Sequence, residues 1–428
     1  MVYNTNMDDE KFKTILDTVL TGKYYNEKDL EYSKDVGTFL SPYEYKQFLS
    51  YKESIIESGH SPFTVLPLKT FNSKFIYFAL GKDLLSIIDS YMSLLFDDVT
   101  ENNILLSKRH SSEFYKSRLY SEIEGSVNVE NVPTTRRRLK ELLENNLPPE
   151  NKNDIIIQNM DRAIKFVQSL PEFNKENLFT LYSLLSKDCL NEDDLLKQGD
   201  YYRYDSVEVD RYLGCPHTLI NECMNSLFEY VNYILNNDKI QYQKVLLTLL
   251  PHICHYYVIY IHPYFDYNGR TARMVSYWIY LLSQKDYFPP IVSEAINQTK
   301  SKYYRSIEES RDSNNDITFF LKYIFSVSID YCLCYKNLEL IDKHSKNKNI
   351  ILTETEMNYI KKILISCKGK FSYIDFLKAC SVDMSKQGAF KLLNKFVDCD
   401  ILITTTAQSK AKLFEINDDV VLYKMKVV

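Results

Sequence analysis

Six residues in one short stretch carry the types that phosphorus chemistry needs. The stretch reads His262-Pro-Tyr-Phe-Asp-Tyr-Asn-Gly-Arg-Thr-Ala-Arg273. An imidazole titrates near neutral pH, so His262 is suited to take a proton from an attacking hydroxyl. Asp266 offers hard carboxylate oxygens, the donors that Mg²⁺ takes alongside substrate phosphates. Asn268-Gly269 falls where a helix begins, and free backbone N–H groups there favour an anion. Arg270 and Arg273 stand three apart, hence on one helical face, and each can give paired hydrogen bonds to phosphate oxygens. A base, a metal ligand, an anion nest and two arginines together fit in-line displacement at phosphorus.

The flanking sequence explains how such a loop would be held. An apolar and aromatic run precedes it (Tyr256, Tyr257, Val258, Ile259, Ile261) and another follows it (Met274, Val275, Tyr277, Trp278, Ile279, Leu281, Leu282). Two buried helices therefore present a polar loop rigidly between their ends. The chain of 428 residues has only 10 Gly and 12 Pro, so long helices are expected throughout. Periodicity places helices at about 75–100, at about 107–123 ending at Glu124-Gly125, and from Pro133 to about Asn145. More follow at about 153–169, 175–189, 217–236, 242–260, 269–284, 300–312 and 317–335. The stretch from Gly199 to Asp210 alternates at Val207 and Val209 and continues to Pro216, which reads as a short β-hairpin. After a polar stretch over 336–352, helices at about 354–367, 371–380 and 384–397 precede two β runs, Ile401–Thr405 and Ala411–Ile416. That order is the layout of a winged helix.

At His262–Arg273 the chain resembles the Fic (filamentation induced by cAMP) family, whose motif is His-x-Phe-x-Asp/Glu-Gly-Asn-Gly/Lys-Arg-x-x-Arg. The resemblance extends over about residues 105–335. It implies a mainly α fold, with a helical core, a β-hairpin flap and, here, a C-terminal winged helix. It also implies transfer of AMP from Mg-ATP to a Ser, Thr or Tyr hydroxyl of a protein, with pyrophosphate leaving. By resemblance His262 is the general base and Asp266 the Mg²⁺ ligand. Asn268 and Gly269 form the phosphate nest, and Arg270 and Arg273 hold the outer phosphates. Tyr264 stands where the family has Phe. Tyr267 stands where it has Gly; a bulky residue in left-handed backbone costs about 1 kcal/mol or more, and its ring would crowd the nucleotide. The family also has an inhibitory helix, Ser/Thr-x-x-x-Glu-Gly/Asn, and Tyr120-Ser-Glu-Ile-Glu-Gly125 resembles it, with Glu124 expected on Arg273. Ser206, Val207, Glu208 and Val209 correspond to the flap that docks an extended target segment. In the pair Tyr303-Tyr304, Tyr304 is the candidate beside the nucleotide. At Arg311 some relatives carry asparagine, and no role carries over.

The division expected is a helical N-terminal region at 1–150 with the inhibitory helix at about 107–125, a catalytic core at 151–340, a linker at 341–352 and a winged helix at 353–428. ATP and a protein substrate are the expected partners, the chain itself among the substrates. The alternatives are a weak or inactive nucleotide sensor, a DNA-binding regulator and an enzyme that removes AMP. Lys386, Lys391, Lys395, Lys410 and Lys412 leave DNA or protein docking open for the last segment, and homo-oligomers are compatible with it all. His252-Ile-Cys-His255 lacks the spacing of a zinc site and a partner pair. Cys254, Cys332 and Cys334 read as core residues, and Arg136-Arg137-Arg138 as a solvated helix face. A net charge of −5 gives no general case for nucleic acid or an anionic membrane. No uninterrupted apolar run of about 18 residues occurs, so no membrane span is expected. The nine scattered cysteines and a start without a leader pattern suggest a reduced, cytoplasmic setting.

Overall fold

Helices carry most of the chain, as few Gly and Pro demand, and many start at sequence-coded caps. The computed structural model describes residues 5–25, 41–96 and 112–421, except 60–61, 73, 210, 238, 240–242, 285–291, 368, 381 and 407–411. Two units appear, Met1–Ser326 and Val327–Val428.

In the first unit, α1 (Thr5–Thr21) and α2 (Pro42–Glu57) pack against a two-stranded hairpin of β1 (Phe63–Val65) and β2 (Tyr77–Ala79). Ser41 and Glu44 form a reciprocal capping box that starts α2. The expected helix at 75–100 begins only at Lys82, as α3 (Lys82–Phe96), because Tyr77–Ala79 extends as strand. Gly81 makes that switch: a Cβ there would lie 2.9 Å from the Leu20 carbonyl oxygen.

The next helix, α4 (Ser112–Val129), corrects a second reading. Residues 107–111 lie outside the described residues, and the helix does not stop at Glu124-Gly125. Gly125 serves a close crossing instead. A Cβ on it would stand 2.4 Å from the backbone nitrogen of Glu294, in the short helix α11 described below. The left-handed end residue is Asn131 (φ 58°), where Val132 N–H returns to the Val127 carbonyl at 3.1 Å.

α5 (Arg136–Leu143), α6 (Lys152–Gln168) and α7 (Lys175–Ser186) are capped by Thr135, Asn151 and Asn174. Arg136–Arg138 are more engaged than a solvated face: Arg138 grips the Asp154 carboxylate through Nε and Nη2, and Arg136 donates to Ser121. The expected hairpin forms as β3 (Glu208–Val209) and β4 (Tyr212–Leu213), pairing Glu208 with Leu213 and Val209 with Tyr212. Asp210 lies outside the described residues. Then come α8 (His217–Asn236), α9 (Gln243–Ile261), α10 (Asn268–Ser283), α11 (Val292–Gln298), α12 (Lys300–Asp312) and α13 (Thr318–Asn347).

α9 and α10 form the centre of this unit and are apolar around most of their circumference. By length and composition α9 would suffice to cross a membrane, but 72% of that span is packed inside the protein. The polar loop between them is six residues, His262–Tyr267.

The unit boundary falls within α13, and residues 341–347, expected in a linker, are its last turns. The second unit continues with α14 (Glu354–Ser366), α15 (Tyr373–Cys380), α16 (Lys386–Asp398) and a hairpin of β5 (Leu402–Thr406) and β6 (Lys412–Ile416). Phe371 adds an antiparallel bridge to Phe414. Ile360, Phe376, Leu393, Phe396 and Phe414 are fully buried and form its core. The turn at 407–411, with Lys410, is outside the described residues.

Candidate active site

The six-residue loop is fixed by side chains at both ends. Asn268 accepts from Tyr264 N–H at 3.0 Å and donates back to the Tyr264 carbonyl at 2.8 Å, which closes the loop on itself. Its side chain is thereby committed, and only its backbone remains for an anion. Tyr264 stacks on Tyr182 of α7, with ring centroids 3.7 Å apart and planes 6° from parallel. The substitution of tyrosine for phenylalanine keeps the aromatic anchor.

His262 follows α9 directly and adopts a left-handed backbone, φ 56°. Its carbonyl accepts from Arg203 Nε at 2.8 Å. Arg203 is buried and also donates to the Asp205 and Cys215 carbonyls, so one guanidinium ties the root of the β3–β4 hairpin to the His262–Tyr267 loop. Burial pushes the His262 pKa down to about 4, with the charges of Arg311 and Arg203 acting in the same sense. The imidazole is therefore neutral at pH 7 and free to accept a proton.

His262 opens on a cavity of about 150 Å³. Asn268, Gly269 and Arg273 line its anion end, and Tyr304, Glu308 and Arg311 of α12 line another wall. Val209 and Tyr212 of the hairpin border it as well. Ser206 and Glu208 are solvent-exposed and Val207 half-buried, its carbonyl accepting from Gly214 N–H at 3.0 Å. Tyr304 is 39% exposed on the cavity wall, whereas Tyr303 is buried and bonds His255 Nε2 through its hydroxyl at 2.9 Å. The hairpin is pinned to α12 by Asp312, which takes bonds from Arg211 at 2.8 Å and from the Tyr212 hydroxyl at 2.6 Å.

The carboxylate on Arg273 is Glu130, not Glu124. Arg273 donates through Nη2 to Glu130 Oε1 at 2.9 Å and through Nε to Ser126 Oγ at 3.0 Å. Glu130 follows the last residue of α4, six positions and about 240° of helical rotation on from Glu124, so the two carboxylates leave the helix on different faces. Burial would raise the Glu130 pKa, but Arg273 and then Arg270 outweigh it and hold the carboxyl below its usual range. Glu130 also lies on the helix N-terminus: a Cβ at Gly269 would stand 2.5 Å from its Oε1. Ser126-Val-Asn-Val-Glu130-Asn131 matches Ser/Thr-x-x-x-Glu-Gly/Asn at every defined position, a signal hidden by the partial match six residues earlier.

Tyr267 takes the left-handed conformation expected of a glycine, with φ 66° and ψ 7°. Its ring does not crowd the cavity. It is buried, and the Arg270 guanidinium lies 3.8 Å over its centroid. Asp266 is exposed beside it and accepts from Tyr267 N–H at 2.5 Å. Neither Asp266 nor Arg270 lines the cavity of His262, although an exposed carboxylate is the donor type that Mg²⁺ takes beside phosphates.

Comparison with known proteins points to one family. Residues 172–280 match the Fic/DOC family. That stretch holds the hairpin, the loop and all but the last turn of α10. Protein adenylyltransferase Fic of Aedes aegypti is 24% identical over 233 residues, 53% of this chain and 42% of that protein. Protein adenylyltransferase fic-1 of Caenorhabditis elegans is 25% identical over 190 residues, 40% of this chain and 31% of that one. The chain thus spans about half or less of these two Fic relatives. A Fic family protein from Desulfovibrio desulfuricans G20 superposes with a TM-score of 0.48 at 16% identity, covering 79% of this chain and 97% of that one.

Proposed function

We propose that this chain is a protein adenylyltransferase held in a restrained state by Glu130. A neutral imidazole, a helix N-terminus and Arg273 share one cavity, and a carboxylate already lies where a phosphate would bind. That last observation carries the reading. Occupied by Glu130, the cavity of about 150 Å³ is smaller than the roughly 300 Å³ at which ligand pockets begin.

Once Glu130 withdraws, Arg273 and the N–H groups near Gly269 donate to the outer phosphates of ATP. A target hydroxyl, aligned by strand addition to the β3–β4 hairpin, attacks the α-phosphorus. The new bond joins that oxygen to phosphorus, the bond to the β-phosphate bridging oxygen breaks, and pyrophosphate leaves. His262 takes the hydroxyl proton. Mg²⁺ at Asp266 would supply charge neutralisation on the phosphates. We read the second unit as a winged helix for docking; on its third helix Lys395 is engaged by Glu356 at 2.5 Å, which weakens the case for DNA.

The test offers α-labelled ATP, GTP, CTP and UTP to Glu130→Gly protein, with Glu130→Gly/His262→Ala as control. Label from ATP that depends on His262 is expected. Nucleotide binding without transfer would instead favour a sensor.

A further inference from the structure

Arg273 borders two cavities. With Nη2 and Nε it holds Glu130 and Ser126 beside the cavity that His262 lines. A second, smaller cavity of about 10 Å³ lies between α4, α9, α10 and α11. Arg273, His252, His255, Glu122, Ser276 and Ser293 give it polar walls. All six are buried. Three of them carry atoms without a hydrogen-bond partner among the described residues: Arg273 Nη1, His255 Nδ1 and both ring nitrogens of His252. Burying such groups unmatched is costly. The space is that of one water molecule, and a polar cavity with several unmatched groups is where proteins keep one.

The same cavity is connected to the first through His255. Its Nε2 lies 2.9 Å from the Tyr303 hydroxyl, and Tyr303 lines the cavity of His262. Burial, and then the charge of Arg273, push the His255 pKa well below its ordinary value, so the ring is neutral. A neutral imidazole has one N–H, and a guanidinium nearby favours the tautomer that carries it on Nε2. Nε2–H then donates to the Tyr303 hydroxyl, and Nδ1 keeps its lone pair as an acceptor. Arg273 has only donors. A water that accepts from Nη1 and donates to Nδ1 satisfies both.

We infer that this cavity is a binding site for one water, and that His255 is a positioning residue that holds Arg273 through it. The water site stands on the unmatched groups; the effect on ligand binding rests on the phosphate site proposed above. Once Glu130 withdraws, this contact and those to Ser126 fix the plane of the guanidinium.

The test uses the full chain carrying Glu130→Gly. Its crystal structure should show one water within about 3.2 Å of both Arg273 Nη1 and His255 Nδ1. A dry cavity overturns the site. Calorimetry with inorganic pyrophosphate then reads the positioning role without any transfer. Adding His255→Leu should weaken binding about tenfold. His255→Asn, whose amide oxygen restores an acceptor near the place of Nδ1, should stay within about threefold of the parent. In transfer assays His255→Leu should raise KM for ATP more than it lowers kcat. Undiminished binding in His255→Leu, or an equal loss in His255→Asn, overturns the positioning role. No pyrophosphate binding by the Glu130→Gly parent overturns the phosphate site and the positioning role with it, while the water site is decided by the crystal alone.

Discussion

Burial, reinforced by the guanidinium groups of Arg311 and Arg203, sets the His262 imidazole at a pKa of about 4. Its base form thus persists well below the usual histidine range. The acid limb of kcat/KM reports the free enzyme, so Glu130→Gly protein should hold its rate from pH 8 down to about 5 and lose it toward pH 4. Removing Glu130, whose charge favours the imidazolium, moves that limb lower still. A limb centred near 6.5 would mean that His262 is more solvated than its surroundings here imply. At this scale the loop was highly legible, because its chemistry is local: six residues within twelve positions. The pairing of Arg270 with Tyr267 was not, since the residue pattern marks Tyr267 only as a misfit for glycine. Nor was Arg203, whose three acceptors are backbone carbonyls spread from Asp205 to His262.

On the element scale, the proposed restraint turns on α4. Its face toward α11 carries Gly125, and Glu122 accepts there from Ser293 N–H at 3.0 Å and from its hydroxyl. The same helix presents Ser126 to Arg273, and Glu130 joins it from the turn just past the helix end. Gly125→Val has no space, since even a Cβ would meet backbone at 2.4 Å. The seam must open, at a cost of about 1–3 kcal/mol, and Glu130 must be displaced with it. Lower Tm together with raised label incorporation is therefore expected. A lower Tm with unchanged incorporation would separate the seam from the restraint. Sequence periodicity located this helix but misjudged its end, because Gly125 was read as a cap when it is a crossing point. Only contact with a segment about 170 residues later distinguishes the two.

Across the first unit, distant segments close on one buried charge. Asp316, fully buried, accepts from the Tyr24 hydroxyl at 2.7 Å and Lys52 Nζ at 3.3 Å, and also from the Thr318 hydroxyl. Lys52 itself is 7% exposed and lies 5.4–6.0 Å from the ring centroids of Tyr24, Phe63 and Tyr77. Asp316→Ala would remove the carboxylate that the buried Lys52 ammonium, the Tyr24 hydroxyl and the Thr318 hydroxyl share, so a loss of about 3–5 kcal/mol is expected in denaturant unfolding. A loss under 1 kcal/mol would show that the aromatic cage suffices. None of this could be read from the first 60 residues, whose polar, tyrosine-rich texture gives no hint of a partner near position 316. From α3 onward the order of most helices and the hairpins at 208–213 and 402–416 were legible, since each is coded by local caps, periodicity and turns, whereas α1, α2, the β1–β2 hairpin and α11 were not.

The most direct measurement compares initial rates of α-labelled AMP incorporation by four full-length proteins: the unaltered chain, Glu124→Gly, Glu130→Gly, and Glu130→Gly/His262→Ala. A rise of at least tenfold in Glu130→Gly alone, abolished when His262 is also replaced, is the predicted result. A rise in Glu124→Gly without one in Glu130→Gly, or incorporation that survives loss of the imidazole, would contradict it.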